Sequence, residues 1–216
     1  MLVFKDEPGL PAGAPCLPER PMQIELYRGA AIAPHIPGLA SLRIAVFREY
    51  PYLYDGTQDY EQRYLATYTA AADSLCVIVR SGTTIVGAAT GVPLADETDE
   101  VKAPFLAAGR DIARVFYFGE SLLMPAFRGL GLGKRFFAER QAHAQALGRF
   151  DWCAFCAIQR PDDHPRRPPG YYPLHGLWRA QGYQPFPDLR TEFFWRDLDE
   201  TTASAKPMAF WMKPLT

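Results

Sequence analysis

The stretch from Ala113 to Gly148, ARVFYFGESLLM running into PAFRGLGLGKRFFAERQAHAQALG, constrains the fold more than any other. Its first half is an almost continuous apolar run rich in β-formers, which suits a central strand covered on both faces. In its second half Phe136, Phe137, Ala144 and Leu147 recur at helical spacing on one side, and Gly148 makes a natural stop. Between them Gly129, Gly131 and Gly133 occupy alternate positions behind Arg128. Glycine lacks a Cβ, so such a loop reaches positive φ and lets another molecule come close to the peptide planes. The stretch reads as strand, contact loop and helix.

The rest of the chain supplies the partners of that unit. Residues 1–21 hold five prolines and two glycines, too many breakers for a regular element, and read as a Pro-rich N-terminal tail. Residues 22–216 read as one domain. MQIELYRG alternates as a strand, IPGLASLRIAVFREYPY and DYEQRYLATYTAAAD have helical spacing, and SLCVIVRSGTTIVGAATGVPL reads as two strands joined at SGT. An acidic loop at 95–100 leads to a short helical segment near 101–108. After the glycine unit come a strand (WCAFCAIQ), a Pro-rich loop (RPDDHPRRPPGYYP), a short helix (LHGLWRAQ) and two strands, TEFFWRDL and PMAFWMK. Helices mixed with mostly antiparallel strands predict an α/β (α+β) fold.

A net charge of −1 over 216 residues gives no basic field to hold nucleic acid by counterion release. No stretch approaches the roughly 18 consecutive apolar residues of a membrane span, and the first residues have no signal-peptide apolar core. A cytoplasmic protein with neither nucleic-acid nor membrane partner is the expectation. Cys153 and Cys156 form a C-x-x-C, but inside a strand, where residues three apart point to opposite faces. With Cys16 in the Pro-rich lead and Cys76 in an apolar run, no disulfide framework is read. Asp162, Asp163 and His164 read as solvated loop, so no metal is implied.

Spacing tests what the glycine loop holds. A P-loop needs glycine five positions before Gly133, where Arg128 stands, and Lys134 is followed by Arg135. The dinucleotide fingerprint fails as well, because Lys134 stands where its third glycine would. What remains is R-x-x-G-x-G, residues 128–133, after a strand and opening a helix. This resembles the GNAT superfamily of N-acetyltransferases, over roughly residues 22–214. The resemblance implies a mixed, mostly antiparallel central sheet flanked by helices, with a strand that splays from its neighbour before the cofactor loop. It implies acetyl-CoA as acyl donor, its pyrophosphate on the backbone of Arg128, Gly129, Leu130, Gly131, Leu132, Gly133 and Lys134. The pantetheine amides would lie on Leu122, Leu123 and Met124. Independently of the family, glycine N–H groups at the positive end of a helix make an anion site, to which Arg128 and Lys134 add charge.

Acyl transfer needs a neutral amine, and Glu120 is the one carboxylate inside the apolar run 115–124, where burial would raise its pKa. It also stands eight residues before the motif arginine, where many GNAT enzymes carry a catalytic glutamate. A structural Glu120 paired with Arg114 or Arg128 is the alternative. The family's general acid is often a tyrosine four residues before the glycine after the late helix; here Trp178 stands there, leaving Tyr172 or Tyr171 as substitutes or as packing. Tyr50, Tyr52, Tyr54 and Asp55 would line the acceptor pocket and suit an amine with an apolar body. The expected function is direct acyl transfer from coenzyme A to a small-molecule or peptide amine, the protein being a homodimer as family members often are. The rival is a non-catalytic acyl-CoA-binding or sensory module on the same fold.

Overall fold

One sheet carries all seven strands in the order β1-β2-β3-β4-β5-β7-β6 among residues 21–215, which the computed structural model describes. The Pro-rich tail expected over 1–21 lies outside the described residues apart from Pro21. The strands are β1 (Met22–Arg28), β2 (Leu75–Ser81), β3 (Thr84–Pro93), β4 (Val115–Leu123), β5 (Trp152–Ile158), β6 (Gln184–Trp195) and β7 (Ser204–Pro214). Every pairing is antiparallel except β4 with β5. Helices α1 (Ile36–Phe47), α2 (Gln58–Ala70) and α3 (Asp99–Ala107) accompany one face, and α4 (Leu132–Leu147) and α5 (His175–Ala180) the other.

The apolar runs follow from this layering. In β2, Cys76 and Ile78 join the core under α1 and α2, while Leu75, Val77 and Val79 join the core under α4. Cys153 and Cys156 separate in the same way, so the C-x-x-C is two core residues on opposite faces. On α4, Phe136 and Phe137 are fully buried, each contributing about 1.5–3 kcal/mol of apolar burial. The segment Gly29–Phe47 is long and apolar enough to cross a membrane by length, yet Leu39, Leu42, Val46 and Phe47 are packed into the core.

One strand starts earlier than its sequence suggests. The run before Thr191 contains Pro185 and Pro187 and reads as loop, yet β6 begins at Gln184. It is the edge strand, where proline's missing N–H costs no ladder bond, and a register shift between Phe186 and Arg190 absorbs the irregular residues.

Two irregularities of β4 position everything that follows. Against β3 the register passes from Ala89↔Ser121 to Gly91↔Phe118, so Gly119 and Glu120 together face Thr90 in a bulge. Only glycine fits there: a Cβ on Gly119 would come within 1.9 Å of the Tyr68 hydroxyl. Against β5 the ladder runs only from Val115↔Trp152 to Tyr117↔Ala154 and then stops. The two strands part beyond Tyr117, the splay that the resemblance implied.

Arg140 of α4 holds the bulge from beneath. It is 0% exposed, and its guanidinium donates to the carbonyls of Thr90 and Glu120, to Ser121 Oγ and to the Phe136 carbonyl. It also lies 4.2 Å over the Phe118 ring. Burial lowers its pKa to about 10, so it is still a cation at neutral pH.

Candidate functional site

The loop after β4 is a backbone structure. Gly129 (φ 76) and Gly131 (φ 78) both take the left-handed conformation, and Gly131 caps α4. A Cβ on either would meet nothing within 4 Å, so the space beside both peptides is open. Gly133 lies inside the first turn of α4, and Lys134 stands exposed beside it. A 16-residue helix therefore begins with its first N–H groups beside open space, an arrangement that suits an anion. Leu130 is 41% exposed, whereas Leu132 anchors the loop in the core.

The Arg128 side chain is largely committed elsewhere. Its side chain is 9% exposed; Nη1 bonds Glu49 at 2.8 Å and Nε donates to the Leu123 carbonyl. The expectation that it serves the loop as a free phosphate-binding cation is corrected to this extent: most of its donors tie the loop to the segment after α1. Its Nη2, buried and without a partner, is the donor left over. Leu122 and Leu123 are buried, and the Met124 N–H is used by the Val86 carbonyl at 2.9 Å.

Glu120 is 2% exposed and faces the α1/α2 side. The environment differs from the apolar one expected. Arg43 of α1 places Nη1 2.5 Å from Glu120 Oε2, while its Nε binds Glu61 of α2. Burial works against the charge on Arg43, but Glu120 and Glu61 outweigh it and keep Arg43 firmly cationic. Neither arginine named as the structural partner holds Glu120: Arg114 binds Asp151, and Arg128 binds Glu49.

Arg43, Glu61 and Glu120 form one wall of a cavity of about 250 Å³ that reaches Gly119 at the bulge. A third buried carboxylate, Glu97, joins them from the turn after β3. Its oxygens accept from the Tyr68 hydroxyl and the Thr98 N–H, and burial raises its pKa, with the charge of Glu120 adding to the effect. The opposite walls are aromatic, among them Tyr54, Tyr64, Tyr117 and Trp195, whose three phenols are all pushed up by burial. Tyr60 and Phe194, 51% and 67% exposed, stand at the rim.

The four residues expected to line an acceptor pocket are divided. Tyr54 lines this cavity. Tyr50 and Tyr52 line a second one of about 230 Å³ at the end of β5, with Tyr171, Arg160 and Trp178. Asp55 lines neither and is held by Arg48 and Arg196. Tyr172, named with Tyr171 as a substitute acid, is 74% exposed and lines neither cavity. Tyr171 packs edge-on against Tyr50 at 4.7 Å, and burial raises its pKa to about 12. Trp178 is buried with its indole N–H unpartnered. Among the described residues no group of three or more His, Cys, Asp and Glu is placed to hold a metal ion.

Sequence reasoning missed Arg43, Glu61, Glu97 and Arg140. For three of them a signal existed. Arg43 lies in phase with Leu39, Val46 and Phe47, Glu61 with Leu65 and Tyr68, and Arg140 with Phe136, Phe137 and Ala144. A charge in the apolar stripe of a helix is buried, and a buried charge is paired or functional.

No family model and no curated protein matches this sequence. Solved structures do. YncA of Salmonella typhimurium, solved with its cofactor acetyl-CoA, matches with a TM-score of 0.54 at 10% identity, covering 90% of this chain and 94% of that one. An acetyltransferase of the GNAT family from Streptococcus pneumoniae gives 0.54 at 11% identity, over 91% and 100% of the two chains. The ribosomal-protein-alanine N-acetyltransferase of Brucella melitensis gives 0.56 at 11% identity, over 88% and 99%. The mixed α/β architecture with its seven-stranded, mostly antiparallel sheet is the GNAT fold.

Proposed function

We propose that this chain, which has the fold of the GNAT acetyltransferases, transfers an acyl group from a coenzyme A thioester directly to an amine. One observation carries the reading: the second half of β4 bears an open backbone cradle for an anion at its end and a buried carboxylate facing a cavity at its bulge. That acetyl-CoA is the cofactor of one protein of this fold, and an alanine amine the acceptor of another, supports it.

Bound acyl-CoA would supply the activated acyl group. The residues present fit it: the open peptides at Gly129 and Gly131, the first N–H groups of α4 and the exposed Lys134 are donors for a pyrophosphate. The edge of β4 at Leu122–Met124, beyond the end of the β5 ladder, would receive the pantetheine. Glu120 is the group that accepts the proton of the acceptor ammonium, directly or through water, with Arg43 and the Arg140-held bulge fixing its position. The need is real, since an amine of pKa near 10.4 loses about 4–5 kcal/mol in becoming neutral at pH 7. The cysteines support transfer without a covalent intermediate: burial pushes the Cys76 thiol up and the Cys153 thiol up to about 12, so neither offers a thiolate.

The test is acetyl-CoA turnover, read as free thiol, against a panel of amines, amino acids and peptides, followed by a pH–rate profile of Glu120→Gln. The variant should bind acetyl-CoA normally and lose roughly 10² to 10⁴ in rate, less at high pH where the acceptor is already neutral. Equal rates at every pH remove Glu120 from the mechanism. Acetyl-CoA binding without turnover on any acceptor favours the non-catalytic module instead.

A further inference from the structure

The cavity at the β4 bulge has an unusual charge balance. Three carboxylates, Glu61, Glu97 and Glu120, are 0%, 4% and 2% exposed, and one guanidinium, that of Arg43, stands among them. Arg43 is committed to Glu61 and Glu120, and no cation is paired with Glu97 among the described residues. Glu61 stands on the same wall beside the Tyr54 hydroxyl, and its charge adds to the burial that raises the Tyr54 pKa. Buried carboxylates in excess of their cations are costly unless a ligand brings positive charge.

The remaining walls say what kind of cation. Tyr54, Tyr64, Tyr117 and Trp195 surround the space, and Tyr60 and Phe194 leave exposed rings at its rim. Ring faces attract ammonium groups and cover apolar carbon, so charge and body are both provided for. The lining holds no cation besides the committed Arg43. An acceptor that carries its own carboxylate, as every free amino acid does, would bring a further negative charge against an acid-rich lining that also includes Glu100.

We propose that this cavity selects a primary amine on an aromatic or apolar body that has no carboxylate, and that Glu97 is the specificity residue that holds its ammonium end and rejects the corresponding amino acid. The proposal deepens the acyl-transfer reading and rests on it for the amine's fate, but the binding it predicts is independent of turnover. Burial raises the Glu97 pKa, and the titratable groups that interact with it include Tyr68 and Tyr64 of α2, Glu120 and Tyr117 of β4 and Cys156 of β5. An entering ammonium supplies the missing partner and favours the carboxylate form.

2-Phenylethylamine and L-phenylalanine share amine and ring and differ by the carboxylate, so they isolate the claim. Each is titrated calorimetrically into the full chain, alone and with coenzyme A, which has no acyl group to give. The amine should bind at least about tenfold more tightly than the amino acid, since like charges brought together are strongly disfavoured. Glu97→Gln should weaken the amine by about tenfold or more and narrow that gap. Tyr60→Ala, on the exposed rim, should weaken 2-phenylethylamine and leave methylamine unchanged. Equal or tighter binding of phenylalanine, an unchanged gap in Glu97→Gln, or no amine binding under either condition overturns the proposal. Amine binding without acetylation overturns only acyl transfer, and acetylation of phenylalanine in preference to the amine overturns only this proposal.

Discussion

The glycine loop and the carboxylate cavity lie along one half of one strand and are made by opposite means. The loop is a single continuous stretch, open to solvent, whose useful groups are backbone N–H donors freed by two left-handed glycines. The cavity reaches into the interior from a rim of exposed rings, and its useful groups are side chains brought from α1, α2, the turn after β3, and β4. One site is written locally and the other only in three dimensions. The bulge joins them, because the one extra residue it inserts beside Glu120 lies just beyond Tyr117, where β4 leaves β5.

That shared dependence is the first place to break the comparison. Arg140→Met keeps the length and most of the packing of the side chain but strips donors from the buried carbonyls of Thr90 and Glu120 and from Ser121 Oγ. At about 1–3 kcal/mol for each buried acceptor left unpaired, the loss of stability should be several kcal/mol. In a thermal melt this is a large drop, and the folded remainder should lose both acetyl-CoA affinity and amine affinity. A variant that melts lower yet keeps one of the two would show that the sites are held independently.

The loop is probed more narrowly by Gly131→Ala and Gly131→Asp. Both force a side chain into φ 78, a strain of about 1–2 kcal/mol, but only aspartate adds negative charge where a pyrophosphate would approach. Acetyl-CoA affinity should fall about tenfold in the first and roughly a hundredfold in the second, with 2-phenylethylamine binding unchanged in both. Identical losses would mean that the loop is shaped for something other than an anion.

How much was legible follows the same division. The element order and the glycine loop came from local patterns, apolar runs and the R-x-x-G-x-G spacing, whereas the splayed strand came only from the family resemblance. Glu120 was legible because one carboxylate stands out in an apolar strand. Its partner was not, since Arg43 lies 77 positions away and nothing local links them. Asp55 was expected in the acceptor pocket on proximity to tyrosines, and it is drawn off by Arg48 and Arg196 from two other segments. Tyr50 and Tyr54 diverge because the chain turns through the three residues between them, from one cavity to the other. The charges in helical apolar stripes were the readable clue, and they mark the acid-lined wall.

The smallest effect expected is also the one that distinguishes a binding group from a structural one. Glu97 is buried, and burial together with the Glu120 charge raises its pKa above that of an unfolded glutamate near 4.3. The folded state thus holds this proton more tightly than the unfolded state does. Its stabilising contribution is fully present below the unfolded pKa and is lost as pH rises through the folded one. Above its folded pKa Glu97 is therefore a carboxylate that opposes folding. Glu97→Gln removes that charge while keeping an acceptor for Tyr68 and Thr98, whose bonds partly favour the charged form. Melting curves from pH 4 to 9 should show the variant slightly more stable at the alkaline end and level with the parent at the acid end. Saturating 2-phenylethylamine should reverse the order at alkaline pH, because ligand binding stabilises only the protein that still holds it well. A variant less stable at every pH would make Glu97 a structural acceptor for Tyr68 and nothing more, and the cavity would lose its claim to a cation.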